Sequence, residues 1–127
     1  MNKVVMDASA VLTLLNEEPG CEVVEKYLPN AVLSAVNLSE ILAMLGEIDF
    51  TVKEAEEMVT RLIKEIIPFE QKQAAIAASM KKITKAQGLS LGDRACLALA
   101  KLENLPALTA DKAWIKAEHQ VKIILIR

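Results

Sequence analysis

The sequence predicts an α/β fold with a central, mostly parallel sheet of about four to five short strands flanked by helices on both faces. Two observations carry this. Short apolar runs at Val4-Val5-Met6, Ala31-Val32-Leu33, Pro106-Ala107-Leu108-Thr109 and residues 121–126 alternate with segments of helical spacing. That is the pattern of strands buried on both sides. Hydrophobic residues make up 53% of the 127 residues but aromatics only 3%, so the core must be aliphatic. No linker, repeat or low-complexity tract interrupts the chain, so residues 1–127 read as one domain. A chain of this length buries roughly two thirds of its unfolded surface and needs no metal or disulfide staple.

Each element has its own signal. The first strand stops at Asp7, and residues 8–15 follow with helical character until Asn16-Glu17-Glu18-Pro19-Gly20. Residues 21–28 form a second short helix, with Cys21, Val24 and Leu28 on one face. Pro29-Asn30 and Ser34 bound the second strand, and a helix over 36–45 places Leu38, Ile41, Leu42 and Leu45 together. Thr51 and Glu54 form a capping box, and Val52, Ala55, Met58, Val59, Leu62 and Ile63 hold one stripe behind it, either sheet cover or an interface. A helix over 70–85, rich in alanine, ends before Gly88. Ser90 opens the next helix, apolar nearly all round from Ala95 to Leu102 and so expected at the centre. Asp111 begins a helical turn plugged by Trp114 before the last strand.

Composition excludes several functions. Few aromatics argue against a stacking platform for single strands. Cys21 and Cys96 form no CxxC, and one histidine cannot complete a zinc site with them. Cys96 is read as core packing. His119 is read as a surface residue without chemistry. Two thiols and an acid as early as Asp7, before any signal-peptide core, point to the reducing cytoplasm. No apolar run approaches a membrane span. The net charge of −2 argues against a broad nucleic-acid surface unless the acids are concentrated in a site.

A parallel sheet places its ligand site outside the carboxyl ends of its strands. Asp7 ends the first strand, and Asp111 lies two residues past Thr109. Glu40 stands in the helix after the second strand, and Asp93 in the first turn of the central helix. Each alone fits capping chemistry. Four carboxylates converging at one edge repel, so either some stay protonated or a cation sits among them. Oxygen donors without His or Cys select a hard ion such as Mg²⁺ or Mn²⁺. Such ions can clamp the attacking and leaving oxygens of a phosphodiester. Ser9, Asn37 and Thr109 accompany the acids as supporting groups; Ser9 and Asn37 fit turn and cap chemistry equally well. Strand alternation points Thr109 and Asp111 the same way if the strand persists.

The segments Val4-Val5-Met6-Asp7-Ala8-Ser9-Ala10, Val36-Asn37-Leu38-Ser39-Glu40, residues 89–100 (LSLGDRACLALA) and Leu108-Thr109-Ala110-Asp111-Lys112-Ala113-Trp114 resemble the PIN-domain family, and within it the VapC-type toxins of toxin–antitoxin pairs. They span almost the whole chain in the family's order. The resemblance implies a three-layer PIN-like fold and a metal-dependent endoribonuclease that hydrolyses RNA. It matches Asp7, Glu40, Asp93 and Asp111 to the family's acidic catalytic and metal-binding site and Thr109 to a supporting hydroxyl. It also implies a homodimer and a cognate antitoxin. Some relatives carry a further acid just after the last one; Lys112-Ala113-Trp114 offers none, which leaves the number of ions open.

Without the four site acids, thirteen acids face fifteen bases, a balance of +2. Arg94, Lys112 and Lys116 are then candidate RNA backbone contacts, each also readable as solvated charge. Lys81, Lys82 and Lys85 read as a solvated helix face. A catalytically silent PIN-like binding module is the competing reading, which loss of any acid would have favoured. A haloacid-dehalogenase-like phosphatase would want a second Asp where Ser9 stands. A response-regulator receiver would want an acidic pair where Met6 and Ala8 flank Asp7.

Overall fold

The computed structural model describes residues 2–127. Five short strands form it: β1 Val4–Met6, β2 Ala31–Ser34, β3 Glu65–Ile67, β4 Ala107–Thr109 and β5 Ile123–Leu125. They pair in the order β3-β2-β1-β4-β5, and every pairing is parallel. The chain builds outward from β1 to β3, then crosses back to add β4 and β5 on β1's other side. The order therefore reverses between β1 and β4, where open α/β sheets hold their ligands.

Successive side chains on a strand point to opposite faces, and each face has its own core. Val4, Met6, Ala31, Leu33 and Leu108 pack under α1 Ala8–Leu15, α2 Cys21–Tyr27, α3 Ala35–Gly46 and α4 Val52–Leu62. Val5, Val32 and Ala107 pack on the other side, against α7 Leu91–Glu103, Met80 and Trp114. Three layers result. As expected for the central helix, α7 is buried continuously from Arg94 to Ala100. Cys96 and Trp114 are both fully buried. Among the described residues, no helix is long and apolar enough to cross a membrane.

Some elements differ from the sequence reading. Strand β3 was not anticipated, because Lys64-Glu65-Ile66-Ile67-Pro68 carries too short an apolar signal. It is an edge strand, blunted by its length, by Pro68 and by the ion pair of Glu65 with Lys3 at 2.7 Å. The expected single helix over 70–85 breaks at Met80 into α5 Gln71–Ser79, α6 Lys81–Thr84 and a 3-10 turn at Lys85–Gln87. At this break the Ser79 and Thr84 hydroxyls donate to the Ile76 and Met80 carbonyls, beside the backbone N–H groups of Met80 and Thr84 that the same carbonyls accept. The 52–63 stripe divides: Ala55, Val59 and Ile63 are buried, Met58 and Leu62 half-buried, and Val52 is exposed.

His119 is also corrected. It is buried, 3% exposed, rather than on the surface. Its Nδ1 accepts from the Val121 N–H at 3.0 Å, so Nε2 carries the proton and donates to the Trp114 carbonyl at 2.7 Å. The ring ties the Trp114 turn to the approach of β5.

The C-terminus is fastened to the α1–α2 connection. The Arg127 guanidinium donates to Thr13 and to the Pro19 carbonyl. Gly20, at φ +99°, lies against the Ile126 backbone, whose carbonyl oxygen would stand 2.5 Å from an added Cβ. Gly20→Ala is therefore expected to destabilise the chain by about 1–3 kcal/mol. A thermal melt measures it, and an unchanged midpoint would contradict this contact.

Candidate active site

Asp7 leaves the end of β1 and is only 4% exposed. Two hydroxyls hold the same carboxylate oxygen. Ser9 Oγ donates to Oδ2 at 2.7 Å, and Thr109 Oγ1, from the end of β4, donates to it at 2.9 Å. With both hydroxyl protons committed to Asp7, the hydroxyl oxygens accept backbone donors: Ala110 N–H to Ser9 at 3.1 Å and Asp111 N–H to Thr109 at 3.1 Å. One network thus joins the ends of β1 and β4 and holds the chain leading to Asp111.

Burial raises the Asp7 pKa from 3.8 to about 6. The Ser9 and Thr109 hydrogen bonds oppose that rise, and the nearby Asp93 charge adds to it. Thr109→Val and Ser9→Ala are accordingly expected to move the Asp7 titration further upward. Carboxyl carbon NMR would read it, and a downward or absent shift would remove these hydroxyls from the account.

Asp93 occupies the first turn of α7 in a capping box with Ser90. Its Oδ2 accepts the Ser90 N–H at 2.9 Å, and Ser90 Oγ accepts the Asp93 N–H at 3.2 Å. Glu40 reaches the same place from α3. Asn37, buried one turn earlier, donates from Nδ2 to Glu40 Oε1 at 2.9 Å and to the Gly92 carbonyl at 3.0 Å. Asn37 Oδ1 is buried without a hydrogen-bond partner. A Cβ built on Gly92 would collide with the Glu40 carboxylate. Gly92 is thus the seat for Glu40, and it was missed by the sequence reading. The available signal was a glycine inside a helical first turn, beside an acid.

These acids share one neighbourhood. The Cys96 thiol, fully buried on α7, is pushed up by burial first and then by the charges of Asp7, Asp93 and Glu40. Asp111 joins the Asp7–Ser9–Thr109 network through its backbone, its N–H donating to Thr109 Oγ1 at 3.1 Å. It is exposed, and its Oδ1 accepts the Ala113 N–H at 2.9 Å as the cap of the 3-10 turn Lys112–Lys116. The strand ends at Thr109, so the alternation expected to align Asp111 with it does not extend that far.

Arg94 is corrected as well. It is 9% exposed, and its guanidinium donates to the Ala77 carbonyl at 2.9 Å, clamping α5 on α7. It is therefore not a surface contact for a backbone. Lys112 and Lys116 are exposed.

The donor set is all oxygen and suits a hard divalent cation. Among the described residues, no three His, Cys, Asp or Glu side chains converge as a ready cage.

A family model described as PIN domain matches residues 4–120. The chain belongs to the PIN-domain family. Solved structures of similar fold include a toxin–antitoxin complex from Klebsiella pneumoniae, with TM-score 0.78, 17% identity and 98% of each chain covered. They include FitAcB from Neisseria gonorrhoeae, with TM-score 0.71, 23% identity and 97% of each chain covered. DNA-bound VapBC from Salmonella typhimurium aligns over 100% of each chain, with TM-score 0.75 and 15% identity. At these identities the likeness is one of fold. No curated protein matches the sequence significantly. In this PIN domain, the Asp7–Ser9–Thr109 network sits where the strand order reverses, and α3 and α7 bring Glu40 and Asp93 to it.

Proposed function

We propose that this PIN domain is a Mg²⁺- or Mn²⁺-dependent endoribonuclease, the toxin of a VapBC-type toxin–antitoxin pair. One observation carries the reading. A buried carboxylate, Asp7, is held at the switch point beside the like charge of Asp93, with no cationic side chain paired to it. Among the described residues the one ion pair is Lys3 with Glu65, at the opposite sheet edge. A protein that leaves such acids uncompensated has prepared a place for a cation.

Asp7, Glu40 and Asp93 would hold the ion, with Asp111 at the rim. Bound there, it supplies Lewis acidity at a phosphodiester oxygen and lowers the pKa of water. Ser9 and Thr109 lock the orientation of the Asp7 carboxylate, and Asn37 that of Glu40. In this reading one of these acids would accept the proton of the attacking water.

Partners are part of the proposal. Met44, Ile48, Phe50 and Val52 are exposed around the junction of α3 and α4. This apolar surface is the kind that a second copy and an antitoxin cover. The fold likeness to toxin–antitoxin complexes supports the same assignment. Two free thiols, one fully buried, suit a reducing cytoplasm.

The test is cleavage of a mixed pool of structured and messenger RNA by purified protein with Mg²⁺, with Mn²⁺ and with EDTA. Fragments that require the metal support the nuclease. A folded protein that neither cleaves nor binds divalent ions by calorimetry returns the chain to the silent binding module.

A further inference from the structure

Charge is divided unevenly along this chain. Residues 1–80 hold thirteen acids and six bases, while residues 81–127 hold four acids and nine bases. A net charge near zero therefore hides a basic third. Lys81, Lys82 and Lys85 lie on α6 and the turn Lys85–Gln87, and Lys112 and Lys116 on the turn Lys112–Lys116. All five are exposed, and none is in an ion pair among the described residues. The two turns pack against each other, which brings the exposed lysines of two segments distant in sequence into one region of the surface. Both segments run directly into the site. The first passes through Gly88-Leu89 to Ser90 and Asp93, and the second begins at Asp111. On the other side of the molecule, α4 presents Glu54, Glu56 and Glu57.

Unpaired lysines held together repel one another and gain nothing from the fold. Beside an acidic crevice they have a use. They hold the polyanion that the crevice alone would reject. We infer that this region, Lys81, Lys82 and Lys85 with Lys112 and Lys116, is the track for the RNA phosphate backbone. The substrate then lies along α6 and the two 3-10 turns and avoids α4. The inference rests on the nuclease reading for its substrate, but its test is independent of cleavage.

Binding of a fluorescein-labelled oligouridylate is measured by anisotropy across a salt series, in EDTA so that nothing is cut. Three proteins are compared with the wild type: Lys81→Gln/Lys82→Gln/Lys85→Gln, Lys112→Gln/Lys116→Gln, and Lys26→Gln/Lys53→Gln/Lys64→Gln as the control. Thermal melts establish that each is folded. The first should weaken binding roughly tenfold or more and flatten the slope of log K against log salt by about 2, since each single-strand phosphate contact contributes about 0.7. The second should flatten it by about 1.4. The control should stay within about twofold of the wild type. Equal weakening by the control, or an unchanged salt slope in both track variants, overturns the inference. Intact, track-dependent binding by a protein that cleaves no RNA with either metal upholds the track and sinks the nuclease reading.

Discussion

Asp7→Asn is expected to abolish metal-dependent RNA cleavage and to make the metal-free protein more stable. The amide keeps an oxygen for the Ser9 and Thr109 hydroxyls, which donate at 2.7 and 2.9 Å, so the network joining β1 to β4 survives. The negative charge does not. Activity should fall by roughly 10²–10⁴-fold, the range for losing a group that handles a proton in the transition state. Cleavage at the wild-type rate would remove Asp7 from the site.

The stability gain follows from the raised Asp7 pKa of about 6 against 3.8. Between these values the folded chain holds a proton that the unfolded chain has released. Stability therefore falls as pH rises through about 4 to 6 and levels off above. The difference corresponds to about 3 kcal/mol at neutral pH, an upper figure for the relief. Asn at this position escapes the penalty, so the two melting curves should converge near pH 4 and separate by several degrees at pH 7. Mg²⁺ or Mn²⁺ should raise the wild-type midpoint at pH 7 and leave the variant's unmoved. A variant less stable than wild type throughout would mean that the carboxylate serves the fold.

Gly92→Ala should produce the opposite pairing of effects from an ordinary core mutation: a stable protein with a damaged site. Gly92 lies in α7 with ordinary helical backbone, so alanine improves helix propensity by about 0.5–1 kcal/mol. The atoms that its Cβ would strike belong to the Glu40 carboxylate, the mobile end of a long side chain. Glu40 can therefore swing aside at small cost, but it leaves the place where Asn37 holds it at 2.9 Å. Cleavage and Mn²⁺ affinity should both drop about 10–100-fold, the range for losing a supporting contact at a metal site. Unfolding should occur at the wild-type midpoint or above. Calorimetric Mn²⁺ titration beside a thermal melt separates the two effects, and unchanged affinity would show that Glu40 works without this seat.

The layered α/β fold, four of the five strands and the buried central helix were legible in the sequence because each is a local pattern. Val4-Val5-Met6, ending at Asp7, reads as a buried strand, and Thr51 with Glu54 or Ser90 with Asp93 announce helix starts through bonds between near neighbours. Strand β3 was not legible, because its pairing partner is β2 rather than anything in its own three residues. The helix break at Met80 leaves no mark in the periodicity of the run.

The site divides along the same line. The sequence put four acids, Asp7, Glu40, Asp93 and Asp111, at one sheet edge from their positions at strand ends and helix starts, and in the structure the charges of Asp7, Asp93 and Glu40 all bear on Cys96. The bonding around them was not legible in the sequence. Ser9 meets Thr109 across a hundred residues of chain, Asn37 crosses from α3 to α7 to reach Gly92, and Arg94 turns from the presumed surface to the Ala77 carbonyl. Sequence by itself determined the element types and which acids lie near the sheet's carboxyl edge, since these depend on periodicity and capping. Only the tertiary structure decided that Asp7 is buried enough to resist ionising, that a glycine seats Glu40, and that two lysine-bearing turns lie against each other. Burial, close approach and charge summation depend on residues brought together from distant parts of the chain.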